Sequence, residues 1–339
     1  MVNNKKKRRL INLLWILMPI AAVLLSLCVG RFSLSVGEVI EALLAGPLKP
    51  GERDPAAMVV YNTRLPRILL SFLIGAGLSA TGCCFQSIFS NPLASPDTLG
   101  VSSGAAFGAA LGILLSDHLL APQALSLIFG LVAIGVTFAL SRIRQGSTVL
   151  MIVLGGVITS AFFSAGVSAL KYLADPLTKL PEITYWLMGS MIASSYEDVL
   201  IALPLIALPV LVMFLLRWKL NVLLLPDDEA ASLGVRAKTM RWAIILLGTL
   251  IIAAAVSVCG QVGWVGLVIP HMARRVVGSD HQFTLPATIS IGGTYLMLID
   301  TVSRSLTTSE LPLSILTAIV GVPIFVLLFF RKEAGAIDA

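Results

Sequence analysis

Residues 217–241 read RWKLNVLLLPDDEAASLGVRAKTMR and form the longest charge-dense interruption in the apolar second half of the chain. Five cations flank three acids in this segment, and long apolar runs stand on both sides of it. Such a segment is expected to lie at a membrane face, outside the apolar layer. Pro226 at its entry and Gly234 near its exit predict a short helix between them. A membrane protein that places this element in water is expected to dock another molecule there.

The composition of the chain is that of a membrane protein. Apolar residues make up 57% of the 339 residues and charged residues 12%, and the mean hydropathy is +0.94. Soluble domains carry about twice this share of charge. The apolar runs are about 20 residues long, which is the length that crosses a bilayer as a helix. We therefore predict an all-α polytopic membrane protein, with one transmembrane domain over residues 1–339.

Apolar runs bounded by Gly, Pro or charge predict ten spans, and an even number puts both termini on one side. A basic tail, residues 1–9, stands directly before the first span, which favours an uncleaved span with a cytoplasmic terminus over a signal peptide or a nucleic-acid site. In that orientation 16 of 24 cations and 7 of 18 acids lie inside, so the net charge is +9 inside and −3 outside. The predicted spans are 10–30, 64–89, 96–115, 119–141, 148–173, 198–217, 238–258, 262–278, 283–303 and 311–330.

The sequence offers little for chemistry within the chain. A nucleotide-binding loop of the G-x-x-x-x-G-K-[ST] type is absent, so a partner must handle any ATP. None of the carboxylates lies near the predicted middle of a span, which counts against a proton- or sodium-coupled carrier. The four cysteines fall inside apolar runs and the three histidines are dispersed. We predict no metal site, no cofactor and no enzymatic activity.

Three arginines run against the charge bias. Arg64 and Arg67 stand at the outer mouth of the second span, and Arg304 stands at the outer end of the ninth. They are either snorkelling side chains at helix ends or, if they converge on one face, a docking site for acidic residues of an external partner. The small residues within 75–82 and 100–108 favour close helix packing and are compatible with a smooth substrate path.

Several blocks in this chain resemble one family of transport proteins. Residues 64–108, RLPRILLSFLIGAGLSATGCCFQSIFSNPLASPDTLGVSSGAAFG, look like the signature of the FecCD family, the permease subunits of ABC importers for iron siderophores, haem and cobalamin. GQVGWVGLVIPHMARRVVGSDH at 260–281 resembles the same family, as do DTVSR at 300–304, ELP at 310–312 and the following TAIVGVPIFVLLF. With WLMGSM at 186–191 and EAASLG at 229–234, the resemblance covers nearly everything after residue 60.

The resemblance implies ten helices with two inverted four-helix halves, in the cell membrane with both termini cytoplasmic. Its implied partners are a second permease subunit, identical or paralogous, cytoplasmic ATPases and an extracellular binding protein. It implies docking of the binding protein at Arg64, Arg67 and Arg304, and an inner gate at Asn91, Pro92, Leu93, Gly146, Ser147 and Thr148. The implied residues that couple to the ATPase, within the cytoplasmic segment 217–241, are Asp227, Asp228, Glu229, Ala230, Ala231, Ser232, Leu233, Gly234, Val235 and Arg236.

A ferric siderophore is the expected cargo of such a permease, and cobalamin and haem are alternatives within the family. Two rival functions come from other classes: an ion-coupled secondary carrier that works alone, and a membrane scaffold or sensor that transports nothing. Neither rival accounts for several family blocks in the family's order.

Overall fold

The computed structural model describes residues 2–47, 54–118, 120–142 and 148–334, and all regular structure within these ranges is helical. This confirms the predicted all-α fold. The helices are α1 (Val2–Cys28), α2 (Val36–Ala45), α3 (Pro55–Met58), α4 (Leu65–Ile88), α5 (Val101–Leu115), α6 (Leu120–Ser141), α7 (Thr148–Leu173), α8 (Lys179–Leu187), α9 (Tyr196–Leu215), α10 (Arg217–Val222), α11 (Asp227–Ser232), α12 (Ala237–Cys259), α13 (Val265–Val277), α14 (His281–Leu306) and α15 (Leu313–Ala334).

The long helices occupy the positions of the predicted spans. Among the described residues, six helical stretches are long and apolar enough to cross a membrane, namely 55–88, 120–141, 149–173, 196–215, 237–259 and 281–306. Shorter apolar helices cover 14–28, 101–115 and 313–328. The remaining predicted span, 262–278, corresponds to α13, which has 13 residues. At 1.5 Å per residue this helix is about 20 Å long, so it covers only part of the apolar layer. It is short because residues 260–264 leave the helical path, beginning at Gly260 with φ +72°.

The second predicted span begins earlier than expected. Asp54 accepts a hydrogen bond from Ala56 N at 2.9 Å, and Pro55 follows as the first helical residue, which together start α3. A π-helical turn, Val59–Arg64, then joins α3 to α4 without a break. Two short helices, α2 and α8, lie in the segments predicted to be outside. A capping box between Ser35 and Glu38 begins α2.

The chain contains two halves of four helices each, α4–α7 and α12–α15, and the first helix of each half packs against helices of the other half. The first helix of one half, α4, packs against α13 and α14, while the first helix of the other, α12, packs against α5 and α6. In each half this first helix is followed by a short one, α5 with 15 residues and α13 with 13. Reciprocal packing of this kind is what two inverted repeats produce.

Glycines bring the central helices into backbone contact. A Cβ on Gly82 of α4 would overlap the carbonyl of Gly266 in α13, and a Cβ on Gly75 would overlap the carbonyl of Gly292 in α14. The predicted close packing through small residues is therefore present at these crossings. The apolar window of the helical stretch that contains α4 is 83% buried, against 28% for each of α6, α7 and α9. The helix α4 thus forms the centre of the molecule.

Candidate functional site

The predicted short helix within the 217–241 segment is α11. It begins at Asp227 directly after Pro226, and the chain turns away at Gly234 with φ +77°. Val235 N donates to Ala230 O at 3.0 Å and closes the C-terminal turn. Asp227 is paired with Arg241 of α12 at 2.9 Å, so the start of α11 is tied to the next long helix.

Most of the residues predicted to couple to an ATPase lie on one exposed element. Ala230 and Val235 are buried and anchor the segment, while the other eight residues of 227–236 are exposed. They present three adjacent acids and Leu233, an apolar side chain that is 57% exposed. A projecting helix with acidic and apolar groups on its surface is suited to insertion into a complementary cleft of a partner.

The predicted inner gate is only partly within the described residues. Asn91, Pro92 and Leu93 form an exposed turn after α4, in which Asn91 Oδ1 accepts from Leu93 N at 2.9 Å. Ser90, just before them, has φ +47°, which only a few per cent of non-glycine residues adopt. Gly146 and Ser147 lie outside the described residues, and Thr148 is the first residue of α7.

A groove joins the end of α4, the start of α7 and the 217–241 segment. Five apolar and three charged side chains line it. The elements predicted to couple and to gate are therefore neighbours at one end of the molecule. The residues that line the groove are Phe89, Val149, Ile152, Asp227, Lys238, Arg241, Trp242 and Ile245.

At the opposite end of the molecule, Arg67 is held by two carboxylates. It contacts Asp300 of α14 at 2.6 Å and Glu310 at 2.8 Å, and each carboxylate accepts two hydrogen bonds from the guanidinium. Paired hydrogen bonds of this geometry are among the strong ones in proteins. Arg67 is only 4% exposed, so this double pair is an internal clamp between α4, α14 and the loop that leads from α14 to α15.

The other two arginines bind the end of α1. Arg64 donates to the carbonyl oxygens of Leu27 and Phe32, and Arg304 donates to the carbonyl of Ser26 and lies 3.9 Å from Asp300. Their exposed fractions are 2% and 7%. From the sequence, the three guanidinium groups were expected either to snorkel at helix ends or to form an outer docking surface, and the family resemblance implied the docking surface. They do converge, but they are buried because the chain supplies their carboxylates and carbonyls itself, and the docking role stays a prediction.

An exposed ion pair lies on the predicted outside as well, and it differs from this cluster. Lys179 of α8 contacts Asp117 in the connection between α5 and α6. Its ammonium group holds the pKa of the Asp117 carboxyl below its usual range. Solvent screens such a pair, so it contributes little to stability compared with the buried clamp.

Sequence reasoning missed a network beside the 217–241 segment. Asn221 of α10 binds the start of α14 at Asp280 and His281, and the imidazole of His281 reaches Ser87 of α4. The sequence signal was Asp280, which caps α14 by accepting from Gln282 N at 2.9 Å. That signal places His281 on a helix start, but it does not show that α10 packs against it.

Comparison with known proteins agrees with this architecture. The sequence matches the FecCD transport family over residues 17–331. It is 41% identical over 326 residues to the molybdate import system permease protein MolB of Haemophilus influenzae, a match that covers 96% of each chain. It is also 38% identical over 321 residues to a Helicobacter pylori permease named for iron chelatin transport, covering 93% of this chain and 97% of that protein.

A solved structure matches the fold over nearly its whole length. It is described as a metal-chelate type ABC transporter in an inward-facing conformation, and it superimposes with a TM-score of 0.84 at 39% identity, covering 94% of this chain and 97% of that one. The family match, the two relatives and the solved structure all indicate an ABC transporter permease. The chain therefore belongs to the FecCD transport family and is a multi-pass permease subunit of an ABC importer in the cell membrane.

Proposed function

We propose that this permease imports a ferric siderophore. Membership of the family implies work with a second permease subunit, cytoplasmic ATPases and a substrate-binding protein. The observation that supports an iron cargo is the similarity, over nearly the whole chain, to a permease named for iron chelatin transport. Cobalamin and haem remain the alternatives within the family. A secondary carrier working alone is disfavoured by the match to permeases of ATP-driven importers.

Molybdate is a second candidate, because the H. influenzae relative named for molybdate import is 41% identical. The two cargoes differ in size and chemistry, one being a bulky chelate and the other a small tetrahedral dianion. Uptake of radiolabelled ferric siderophores and of radiolabelled molybdate should be compared in a strain lacking this gene and in the complemented strain. Loss of ferric uptake alone supports the proposal, and loss of molybdate uptake alone overturns it.

Coupling to the ATPase is assigned to residues 227–236. The support for this assignment is the projecting, acidic and partly apolar surface of α11 beside the groove at the end of α4. Charge reversal at Asp228, or a proline inserted after Ala231, should abolish transport-linked ATPase activity and leave membrane insertion intact. Glu182→Lys, on the exposed face of α8 at the other end of the molecule, is the matched charge-reversal control. Full uptake with a normal ATPase response in the α11 variants would remove the assignment.

The inner gate is assigned to the turn at Asn91–Leu93 and to residues 146–148. Leu93 is 53% exposed at the end of α4, where a small movement of that helix would displace it. Single cysteines at Leu93 and Ser147 should change their rate of labelling with the nucleotide state of the assembled transporter. A cysteine at Leu44 of α2, which is also exposed, should react alike in all states. Identical rates at Leu93 and Ser147 would exclude both positions from the gate.

Docking of the binding protein at Arg64, Arg67 and Arg304 requires that partner carboxylates compete with the chain's own acceptors. Arg64→Glu combined with Arg304→Glu should slow association, raised salt should weaken the wild-type complex, and acid-to-base changes on the binding protein should partly restore the double variant. Because both arginines are buried, the folded fraction of the variant has to be measured first. A folded variant with wild-type on-rates would leave these residues as internal anchors only.

A further inference from the structure

Asn221 fastens the 217–241 segment to the start of α14. Its amide nitrogen donates to Asp280 Oδ1 at 2.8 Å, and its Oδ1 lies 2.9 Å from His281 N and 2.7 Å from His281 Nδ1. The flanking Leu220 and Leu223 are each 1% exposed, so this part of α10 is embedded in the protein. A movement of α10 must therefore be passed to Asp280 and His281 or break these bonds.

The hydrogen bonds of Asn221 fix the protonation of the imidazole. Its amide nitrogen is committed to Asp280, so the atom facing His281 is an oxygen, which can only accept. The proton of His281 must then be on Nδ1, and in the neutral ring Nε2 is an acceptor. Ser87 Oγ of α4 lies against Nε2, so its hydroxyl can donate to this nitrogen in the neutral ring. Through these hydrogen bonds, His281 at the start of α14 connects α10 to the end of α4.

The Ser87 hydroxyl has one proton and two acceptors within reach. One is His281 Nε2, and the other is Cys83 O, one turn back in the same helix, at 2.9 Å. The hydroxyl can turn from the first to the second without being left unpaired in a buried site. The link between α14 and α4 therefore has two discrete arrangements, and the second leaves His281 Nε2 without a donor, so a movement of α10 or α14 has to drive it.

The end of α4 leads directly to the predicted gate. Asn91 N donates to Gln86 O at 3.1 Å, so the turn at 91–93 is bonded to the residue before Ser87. The Gln86 side chain in turn accepts from Arg274 of α13. A shift at Ser87 thus moves a helix end that is hydrogen-bonded to the gate turn.

We propose that His281 is a positioning residue that transmits movement of the 217–241 segment to the inner-gate turn through Ser87. The inference rests on the proposed coupling role of that segment. It adds a named route, from Asn221 through His281 and Ser87 to residues 91–93. The order Ser, His, Asn also occurs in hydrolytic sites, but Ser87 and His281 are 3% and 4% exposed, so no substrate can meet the hydroxyl.

The first experiment uses the assembled transporter in proteoliposomes with its ATPase and its own binding protein. His281→Ala should retain basal ATP hydrolysis and reduce its stimulation by the binding protein roughly tenfold. The labelling rate of a cysteine at Leu93 should no longer depend on nucleotide state. A loss of folded protein would instead lower basal and stimulated activity in the same proportion. His118→Ala, at an exposed position, and Ser257→Ala, at a buried position in α12 where the hydroxyl donates to Ala254 O, are the controls.

Milder variants keep the test decisive if His281→Ala folds poorly. Ser87→Ala preserves every contact of Asn221 with α14 and removes only the link to α4, so it should uncouple as His281→Ala does. His281→Asn keeps an N–H toward Asn221 but is too short for Ser87, whereas His281→Gln can reach Ser87. Rescue by Gln and not by Asn is expected, and combining Ser87→Ala with His281→Ala should add little to either change alone.

Two failures can be told apart. If the α11 variants abolish stimulation while Ser87→Ala and His281→Asn both behave like the controls, the route through His281 is overturned and the coupling segment stands. If the α11 variants also keep normal stimulation, the coupling assignment itself is wrong.

Discussion

The buried cluster of Arg64, Arg67 and Arg304 joins α4 and α14 to the end of α1 and to the loop before α15. Arg67 lies between Asp300 and Glu310, and Arg304 shares Asp300 with it. Three guanidinium groups and two carboxylates leave an excess of one positive charge, which the carbonyl oxygens of Ser26, Leu27 and Phe32 help to offset. Breaking a buried pair is costly because it leaves an unpaired charge in a poorly solvated place.

Arg67→Met should therefore destabilise the protein strongly. The substitution keeps an extended side chain but leaves two carboxylates without their shared cation, with an expected cost of about 3–5 kcal/mol. The measurement is the thermal unfolding midpoint of the purified protein in detergent. Lys179→Met, which breaks an exposed pair, is the control and should shift the midpoint far less. Equal shifts for the two variants would show that the clamp contributes no more than a surface pair.

The sequence identified the three arginines but not what they bind. They were recognisable because they break the distribution of charge along the chain. Their partners were not, since Asp300 and Glu310 are 233 and 243 residues away from Arg67. The rotation of each helix about its own axis decides whether a side chain at a helix end faces lipid, water or another helix, and a linear pattern of charge does not contain that angle. His281 and Asn221 were missed for the same reason.

The lengths of the apolar runs predicted the long helices, but they did not predict where a helix is interrupted or changes its geometry. The short helix α11 and the ten long helices lie where Pro, Gly and charge bound the apolar runs. The lengths of the apolar runs did not predict the late start of α13 or the π-helical turn before α4. Trp264, which precedes α13, has φ +68°, a conformation that a bulky residue adopts only when its surroundings impose it.

Gly82→Ala tests how tightly α4 and α13 are joined. The added Cβ would overlap the carbonyl of Gly266, and backbone cannot move aside as a flexible side chain can. The helices would have to separate, so the yield of folded protein and its unfolding midpoint should both fall.

Gly135→Ala in α6 is the matched control for that change. It adds the same methyl group to a helix, but apart from the backbone of that helix and the two neighbouring residues no described atom lies within 4 Å of the new Cβ. Alanine is favoured over glycine in a helix by about 1 kcal/mol, so this variant should be as stable as the wild type or more so. If both variants behave alike, the backbone contact at Gly82 is not a constraint.

At the scale of the whole molecule, the charge balance predicts how the chain sits in the membrane. With ten spans and both termini inside, the cytoplasmic side carries +9 and the outer side −3. The helices agree with the count, and orientation can be measured directly. A fluorescent reporter fused after Ala339 should be active in the cytoplasm, and alkaline phosphatase inserted after Leu177 should be active outside. The reverse pattern at either site would refute the orientation.

The central position of α4 has a consequence for the order in which the protein is made. This helix leaves the ribosome before α13 and α14, yet those are the helices against which it is buried, and the carboxylates that hold Arg67 follow more than 230 residues later. At translation rates of about 5–20 residues per second, roughly 10 to 50 seconds pass between the synthesis of Arg67 and that of its carboxylate partners. During this time the glycine-rich surface of α4 is not covered by α13 and α14. Newly inserted chains are thus exposed to membrane proteases and to aggregation during synthesis. Chains that end before Asp300 should be degraded rapidly rather than accumulate as stable fragments.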